Sequence, residues 1–433
     1  MERCLLLGNG GREAVIAEYV SKGYELYSIL PYENPSIVKY VTKSGGKYIV
    51  GNPFDKELVK KFIQDNQLEV CIISSDNLLQ DGLIDLAKSL GLKVFGPTSK
   101  GAKIEWSKTY ALEIVQELAP EMIIKNYHIS TNEELEKVIA NYVDENFVIK
   151  PEGLTGGKGV KVGGVHFKTK HEGLEYAKSC LKESGKVIIQ DKVEGSEFTV
   201  MCLTDGENIV TTPITFDYPY RFEEDKGPGT GGMGCMSYPN GLLPFLDKED
   251  VDKCSDLIKR TIQYLNKDSK EFTGVLYGGF FKCKDGIKFI EFNARFGDPE
   301  AINVLNALDT PFTNVLNNIF EGTLSKENCK FKEEYTFTVY IVSKQYAITS
   351  SKEPVVFKMN VEEILNKGIK LYFANAKQIG ENEYTSVSNS RLFAIATSGK
   401  ELEELRKEVY NIIETDIDKV LDYRKDIGEI YVH

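Results

Sequence analysis

Histidine is scarce in this chain of 433 residues: there are four, His128, His166, His171 and His433, with no HxxxH pair among them. Zinc-hydrolase chemistry and Ser–His or Cys–His triads therefore have little to build on. The eight cysteines are scattered and form no CxxC pair. Most stand in apolar contexts, which reads as buried free thiols in a reducing cytosol and a cytoplasmic location. No segment approaches the ~20 consecutive apolar residues of a membrane helix, and the start MERCLLLGNGGRE has too short an apolar run for a signal peptide. Net positive charge is also absent. At −12 the chain disfavours non-specific binding to nucleic acid or anionic membrane, so neither partner is expected. Any phosphate it binds must be met by local lysines and backbone amides.

What remains is ordinary globular material, 42% hydrophobic and 27% charged, enough for two to four domains. The first hundred residues alternate short apolar runs (Cys4–Leu7, Leu26–Leu30, Val70–Ile73, Lys93–Phe95) with helical patterns at Glu13–Val20, Lys56–Gln64 and Gln80–Leu90. That alternation predicts a doubly wound α/β domain with a parallel sheet. From about Met122 to Asp191 the pattern is mixed α+β. Long strands are expected at Phe198–Leu203, Gly274–Cys283 and Lys288–Phe292, and a smaller mixed domain over the last hundred residues. The expected division is 1–98, 99–328 and 329–433, with a unit at about 122–191 inside the second.

Within that unit, FVIKPEGLTGGKGVKV (Phe147 to Val162) places Lys150 and Lys158 around a loop containing Gly156 and Gly157. Glycines let backbone N–H groups approach an anion, and two ammonium groups supply charge for a polyphosphate. The loop is not a Walker A motif: Glu152 stands where the first glycine belongs, and Gly159 where a hydroxyl must follow the lysine. A glycine-rich hairpin with solvated lysines is the plain alternative.

Four other segments carry chemistry. GNGGRE (Gly8 to Glu13) joins the first strand to the first helix, but Glu13 replaces the third glycine of a dinucleotide fingerprint, and the second strand ends without a ribose-binding acid. It can bind a phosphate or carboxylate at a helix N-terminus, or serve only as a tight turn. In KFIEFNARFGDPEA, strand alternation puts Glu291 and Asn293 on one face, an oxygen pair that suits Mg²⁺ completed by phosphate and water. Arg295 follows, placed to neutralise a transferring phosphoryl group or an oxyanion. DKGPGTGGMG (Asp225 to Gly234) is a loop able to wrap a small ligand. In IIQDKVEGSE, the backbone from Gln190 to Val193 could meet an adenine edge and Glu197 a ribose, or the segment could be an ordinary hairpin.

Together GNGGRE, FGPTSKGAKIEWSK, the lysine loop, GSE after Asp191, GPGTGGMG, GVLYGGF and EFNARFGDPE resemble the phosphoribosylamine–glycine ligase family of the ATP-grasp superfamily, over nearly the whole chain. The resemblance implies an N-terminal α/β domain, an ATP-grasp domain with a mobile lid and a small C-terminal domain. It implies ATP-dependent ligation of glycine to 5-phosphoribosylamine through glycyl phosphate in purine biosynthesis, with ATP and Mg²⁺ or Mn²⁺, in a monomer or small homo-oligomer. By the same resemblance ATP would meet Lys108, Lys150, Gly156, Gly157, Lys158, Gln190, Val193 and Glu197, and the metal Glu291 and Asn293. Catalysis would fall to Arg295, Lys158 and Asp217. The substrates would meet Asn9, Gly10, Gly11, Glu13, Thr230, Gly231, Gly232, Arg295, Gly297 and Asp298. Departures from the family pattern occur at Ala14, Ser74-Ser75-Asp76, Tyr218-Pro219, Gly229 and Ser343-Lys344-Gln345. They lie on the phosphoribosylamine side, which leaves another ATP-grasp carboxylate–amine ligase as the alternative. An NAD-linked oxidoreductase and a non-catalytic nucleotide-binding protein are more distant ones.

Overall fold

The structure, a computed structural model, describes residues 1–154 and 159–431; the expectations for Gly156, Gly157 and Lys158 lie outside the described residues. Among the described residues the strands assemble into five sheets. The first is wholly parallel, in the order Tyr48–Val50, Glu25–Leu30, Arg3–Leu7, Val70–Ile73, Lys93–Phe95. Arg3–Leu7 is its central strand and the chain leaves it in opposite directions, so the GNGG turn opens at a topological switch point, where α/β sheets bind ligands. Two differences from the sequence pattern have local causes. The expected helix Gln80–Leu90 is cut into Asp76–Gln80 and Leu83–Ser89 because Gly82 adopts φ +80°. The helix Pro35–Lys43, unseen in the pattern, is started by Pro35 and by the Asn34 side chain, which accepts from Ser36 N and Ile37 N.

A four-stranded antiparallel sheet, in the order Asn126–Ile129, Val187–Asp191, Phe147–Pro151, Lys161–Val162, carries the helices Asn132–Ala140 and Lys170–Ser184. Phe147, Ile149, Val187 and Ile189 point into a core of its own with Leu135 and Ala177. The neighbouring Ile188 faces the other way, into the main core, so the unit has a core of its own and one face docked on the rest of the chain.

The remainder is organised by a ten-stranded sheet. Its backbone path runs Gly286–Asn293, Gly274–Cys283, Ser196–Thr204, Thr215–Asp217, Gly234–Ser237, Tyr335–Ser343, Phe393–Gly399, Lys370–Phe373. Strand alternation sends neighbouring side chains into different cores: Val275 joins Leu6 and Leu26 of the first domain, whereas Leu276 joins Leu257 and Ile258 of helix Lys248–Asn266. The boundary expected at 329 is not a break in this sheet, because Gly234–Ser237 pairs directly with Tyr335–Ser343. Phe393–Gly399 and Lys370–Phe373 extend that pairing, while Val356–Lys358, Glu383–Ser386 and Ala376–Gly380 form a three-stranded sheet of their own. All eight cysteines are free and buried. Among the described residues no helix is long and apolar enough to cross a membrane.

The first domain docks through aromatic contacts, Phe95 lying 6.1 Å from Phe296 and 6.0 Å from Phe312. Phe95→Ala is expected to lower the unfolding free energy by about 3–5 kcal/mol, the cost of a large cavity. Chemical denaturation measures it, and a loss below about 1 kcal/mol would show that this contact does not hold the seam.

Candidate active site

Two lysines meet where the lid touches the large sheet. Lys150 is buried on strand Phe147–Pro151, and its Nζ donates to the Ile290 carbonyl at 3.3 Å. Lys108 begins helix Lys108–Leu118, whose N-terminus is capped by Ser107, and its Nζ donates to the Gly153 carbonyl at 2.6 Å. Glu152 fastens the lysine loop to the same N-terminus, accepting from Ser107 Oγ at 2.8 Å and from Thr109 N and Oγ1 at 3.3 Å. Burial pushes the Lys150 pKa down to about 8, against the pull of Glu291 and with the push of Lys108. Burial also lowers Lys108, again opposed by Glu291. Glu152 and Glu105 also favour the charged form of Lys108, and Glu197 that of Lys150, so both desolvated ammonium groups are held beside carboxylates and offer donors that a polyanion could meet.

Glu291 and Asn293 project from strand Gly286–Asn293 with Asn293 Nδ2 donating to Glu291 Oε1 at 3.3 Å. Arg295 continues the line: its Nη2 donates to Asn293 Oδ1 at 3.1 Å and lies 2.9 Å from Glu105 Oε1. Burial alone would weaken the guanidinium, but Glu105 and then Asp76 raise its pKa, so it stays charged. Its buried Nε has no hydrogen-bond partner. Among the described residues no group of three or more His, Cys, Asp or Glu could hold a metal. One carboxylate plus one amide oxygen beside two lysines fits Mg²⁺ or Mn²⁺ bound together with a polyphosphate, which supplies the missing oxygens.

The segment IIQDKVEGSE is not a hairpin. Val187–Asp191 belongs to the lid sheet and Ser196–Thr204 to the large sheet, so residues 192–195 link the two sheets. Gln190 is buried just before this link, with an Nε2 that has no partner among the described residues, and Val193 lies within it. Glu197 follows, reached by solvent yet set in a recess. The thinning of water there, then the charge of Glu291, pushes its carboxyl up to about 7.

A second hollow of about 260 Å³ opens at the switch point, lined by Asn9, Gly10, Arg12, Glu13, Asp298 and Arg391 among others. Glu13 reaches its wall, but both carboxylate oxygens are engaged, accepting from Gly10 N and Arg12 Nε at 2.8 Å. Asn9 keeps a buried Oδ1 without a partner. Gly11 does not line the hollow. It packs on Tyr340, whose hydroxyl would stand 2.0 Å from any Cβ at that position. The GPGTGG segment was expected as a loop, but Lys226–Gly229 pairs with Tyr220–Phe222 as a hairpin, so only Thr230 to Met233 remains irregular. Thr230 Oγ1 donates to the Pro219 carbonyl at 2.9 Å and accepts from Gly232 N at 3.0 Å. Gly232, at φ +103°, leaves room for Asp217, whose Oδ1 would be 2.6 Å from a Cβ there. Burial, then Glu300, raises the Asp217 pKa. Gly297 makes similar room for Glu300.

Arg391 escaped the sequence reading. Its Nη1 donates to the carbonyls of Gly231, Gly232 and Asp298 at 2.5, 3.0 and 2.6 Å, and its Nη2 pairs with Asp298 Oδ2 at 3.2 Å. It stands in a serine- and asparagine-rich turn (SNSR) with no motif around it, so nothing local marks it. This hollow and the lysine site meet at Phe296. The Phe296 carbonyl accepts from Arg12 Nη1 on one side and Arg295 Nη1 on the other, each at 3.1 Å.

Comparison with known proteins agrees with this layout. Residues 2–105 match the family model described as phosphoribosylglycinamide synthetase, N domain, and residues 106–301 its ATP-grasp (A) domain. The chain is 35% identical over 432 residues to the phosphoribosylamine–glycine ligase of Pyrococcus furiosus, covering 99% of this chain and 94% of that one. It is 36% identical over 440 residues to that of Methanococcus maripaludis, with 99% and 96% covered. In fold it resembles the crystal structure of phosphoribosylamine–glycine ligase from Thermotoga maritima, with a TM-score of 0.80 at 24% identity over 98% of this chain and 100% of that one. The biotin carboxylase domain of a Hydrogenobacter thermophilus 2-oxoglutarate carboxylase, solved with MgADP, ADP and bicarbonate, gives 0.70 at 15% identity, over 96% of this chain and 91% of that one.

Lys150 is protonated below about pH 8 and loses its charge as pH rises through that value. Binding of ATP to the free protein is therefore expected to weaken by up to about tenfold per pH unit above it. Calorimetric titration across that range measures the slope, and Lys150→Arg should move the break upward. A flat profile to pH ~9.5 would mean that this ammonium does not hold the phosphates.

Proposed function

The chain belongs to the phosphoribosylamine–glycine ligase family, and from that premise we propose that it joins glycine to 5-phosphoribosylamine, with ATP converted to ADP and phosphate through phosphoryl transfer to the glycine carboxylate. The product is glycinamide ribonucleotide. The protein is on this reading an ATP-dependent carbon–nitrogen ligase of purine biosynthesis. The observation that carries the reading is that junction: Glu291, Asn293, Arg295 and Phe296 run from the paired lysines to the hollow at the GNGG turn. A nucleotide triphosphate on one side and a phosphorylated amine on the other would meet at Arg295.

Lys108 and Lys150 would take the triphosphate, with Gly156, Gly157 and Lys158 of the same loop. Gln190 and Val193 would meet the adenine edge, and Glu197 the ribose. The glycine carboxylate attacks the γ-phosphorus and ADP leaves, giving glycyl phosphate. The lysines spread the charge that passes to the leaving oxygens. Glu291 and Asn293 would hold Mg²⁺ or Mn²⁺, which when bound shields the phosphate oxygens. The ribosylamine nitrogen then attacks the acyl carbon, and phosphate leaves. Arg295 would stabilise the tetrahedral oxyanion; the Thr230, Gly231 and Gly232 amides, which donate to Pro219 O, Tyr346 Oη and Thr230 Oγ1, would set the shape of the loop beside it. Asn9, Gly10, Asp298 and Arg391 would hold the phosphorylated amine, and Asp217 and Gly297 the amino acid. Gly11 and Glu13 would act by shaping the turn. Because an acyl phosphate hydrolyses readily, the unit at about 122–191 would close over it. The divisions at 98 and 328, and a monomer or small homo-oligomer in the cytoplasm, complete the proposal.

A different carboxylate–amine pair is favoured by one observation: Ser75, one of the departures from the family pattern, lines the hollow. One assay separates the readings. ADP release is expected only when glycine and freshly generated phosphoribosylamine are both present; indifference to glycine would sink the proposal. Glu291→Ala is expected to lower kcat by at least about 100-fold with the fold intact by circular dichroism. A variant with full rate in limiting Mg²⁺ would remove the metal role.

A further inference from the structure

The hairpin that carries the substrate loop turns through two non-glycine residues with left-handed backbone, Glu224 at φ 56° and Asp225 at φ 55°. Lys226 N closes the turn on the Glu223 carbonyl at 3.3 Å. Two consecutive positive φ values define a turn that normally selects Asn-Gly; Glu224 is poorly suited to its first position, and Asp225, which tolerates positive φ, stands where glycine is preferred. Something outside the hairpin must hold it.

The holder is a segment about two hundred residues further on. Arg424 is fully buried and grips Asp426 with two bonds, Nε to Oδ1 at 2.6 Å and Nη2 to Oδ2 at 2.8 Å. The same guanidinium reaches Asp225 Oδ1 at 2.9 Å and donates from Nη1 to the Tyr220 carbonyl at 3.1 Å. Asp426 Oδ2 accepts from Glu224 N at 2.9 Å. Both strained residues are thus held, one by a carboxylate on its N–H and one by a guanidinium on its side chain. The Tyr218 ring lies beneath the guanidinium at 5.1 Å, and its hydroxyl accepts from Gly428 N at 2.8 Å. Thr230 in turn hangs from the Pro219 carbonyl, between Tyr218 and Tyr220.

We propose that Arg424, with Asp426, is a positioning residue for the ligase: it clamps the Glu224–Asp225 turn and so sets the Thr230–Gly232 loop against Asp217 and Arg391. The proposal rests on the function proposed above, which assigns that loop to the amino acid and the amine. The Arg424–Asp426 pair keeps its own two bonds when Asp225 is changed. Asp225→Ala, at a partly exposed turn, removes the clamp's hold on the side chain and disfavours the left-handed backbone without stranding a buried charge.

The test uses the full chain and three-substrate kinetics. Asp225→Ala and Arg424→Lys are expected to raise the KM for glycine and for phosphoribosylamine about tenfold, with ATP binding by calorimetry changed less than about twofold. In the Arg424→Lys background, Glu224→Asn with Asp225→Gly supplies a turn that needs no clamp and is expected to restore both KM values; placed alone in the wild-type chain the same pair, which also lacks the Asp225 carboxylate, is expected to leave them unchanged. If Arg424→Lys fails to fold, Asp225→Ala and the paired substitution carry the test alone. Unchanged KM values in Asp225→Ala would overturn the clamp, as would a paired substitution whose KM values are raised. An inactive wild type would instead overturn the assigned reaction.

Discussion

Burial of charge in pairs governs this molecule. Chemistry on a triphosphate and an acyl phosphate needs positive charge away from bulk water, in a chain whose net charge is −12. An isolated buried ion is too costly to keep, so each cation is placed against a counter-charge. Lys150 and Lys108 face Glu291, Arg295 meets Glu105, Arg391 meets Asp298, and Arg424 meets Asp426 and Asp225. The two lysines share the Glu291 carboxylate at the lid seam, with Glu152 and Glu105 also acting on Lys108 and Glu197 on Lys150.

That arrangement depends on the large sheet. At strand Gly274–Cys283 one face packs on the first domain and the other on helix Lys248–Asn266, while Tyr335–Ser343 and Phe393–Gly399 pack against helix Leu402–Asp416. The strand ends are therefore held rigidly. Glu291 and Asn293 sit at one such end, with Arg295 just beyond, and Asp217 ends the short strand Thr215–Asp217. The lid is different: it has its own core and is tied to the sheet through residues 192–195 and through the Lys150 and Lys108 contacts. A rigid wall and a separately packed cover suit a reaction whose intermediate must be kept from water.

Much of this was legible in the residues. The alternation of apolar runs and helical patterns specified the parallel sheet, since each run is fully buried and local in sequence. The oxygen pair at Glu291 and Asn293 could be placed because strand period alone puts them side by side. The pattern missed Pro35–Lys43, which rests on a cap more than on a broad apolar face, and it read through Gly82 because one residue interrupts a helix without altering its composition. It also read GPGTGG as a loop. The strand there forms against Tyr220–Phe222 under restraint from Arg424 and Asp426, which are remote in sequence.

The sequence by itself determined the chemical inventory: the lysine loop, the metal-type oxygen pair, the glycine turns and a resemblance that spans the chain. These are local, set by residue type and by spacing within one strand or turn. Only the tertiary structure decided which groups meet. It brought Arg391 to Asp298 and to the Gly231 and Gly232 carbonyls, 93 and about 160 positions away. It turned Glu13 back onto its own helix, packed Gly11 against Tyr340, and ran one sheet across the boundary expected at 329. Each of these depends on long-range packing and on the pairing of buried charges, and neither leaves a period or a motif along the chain.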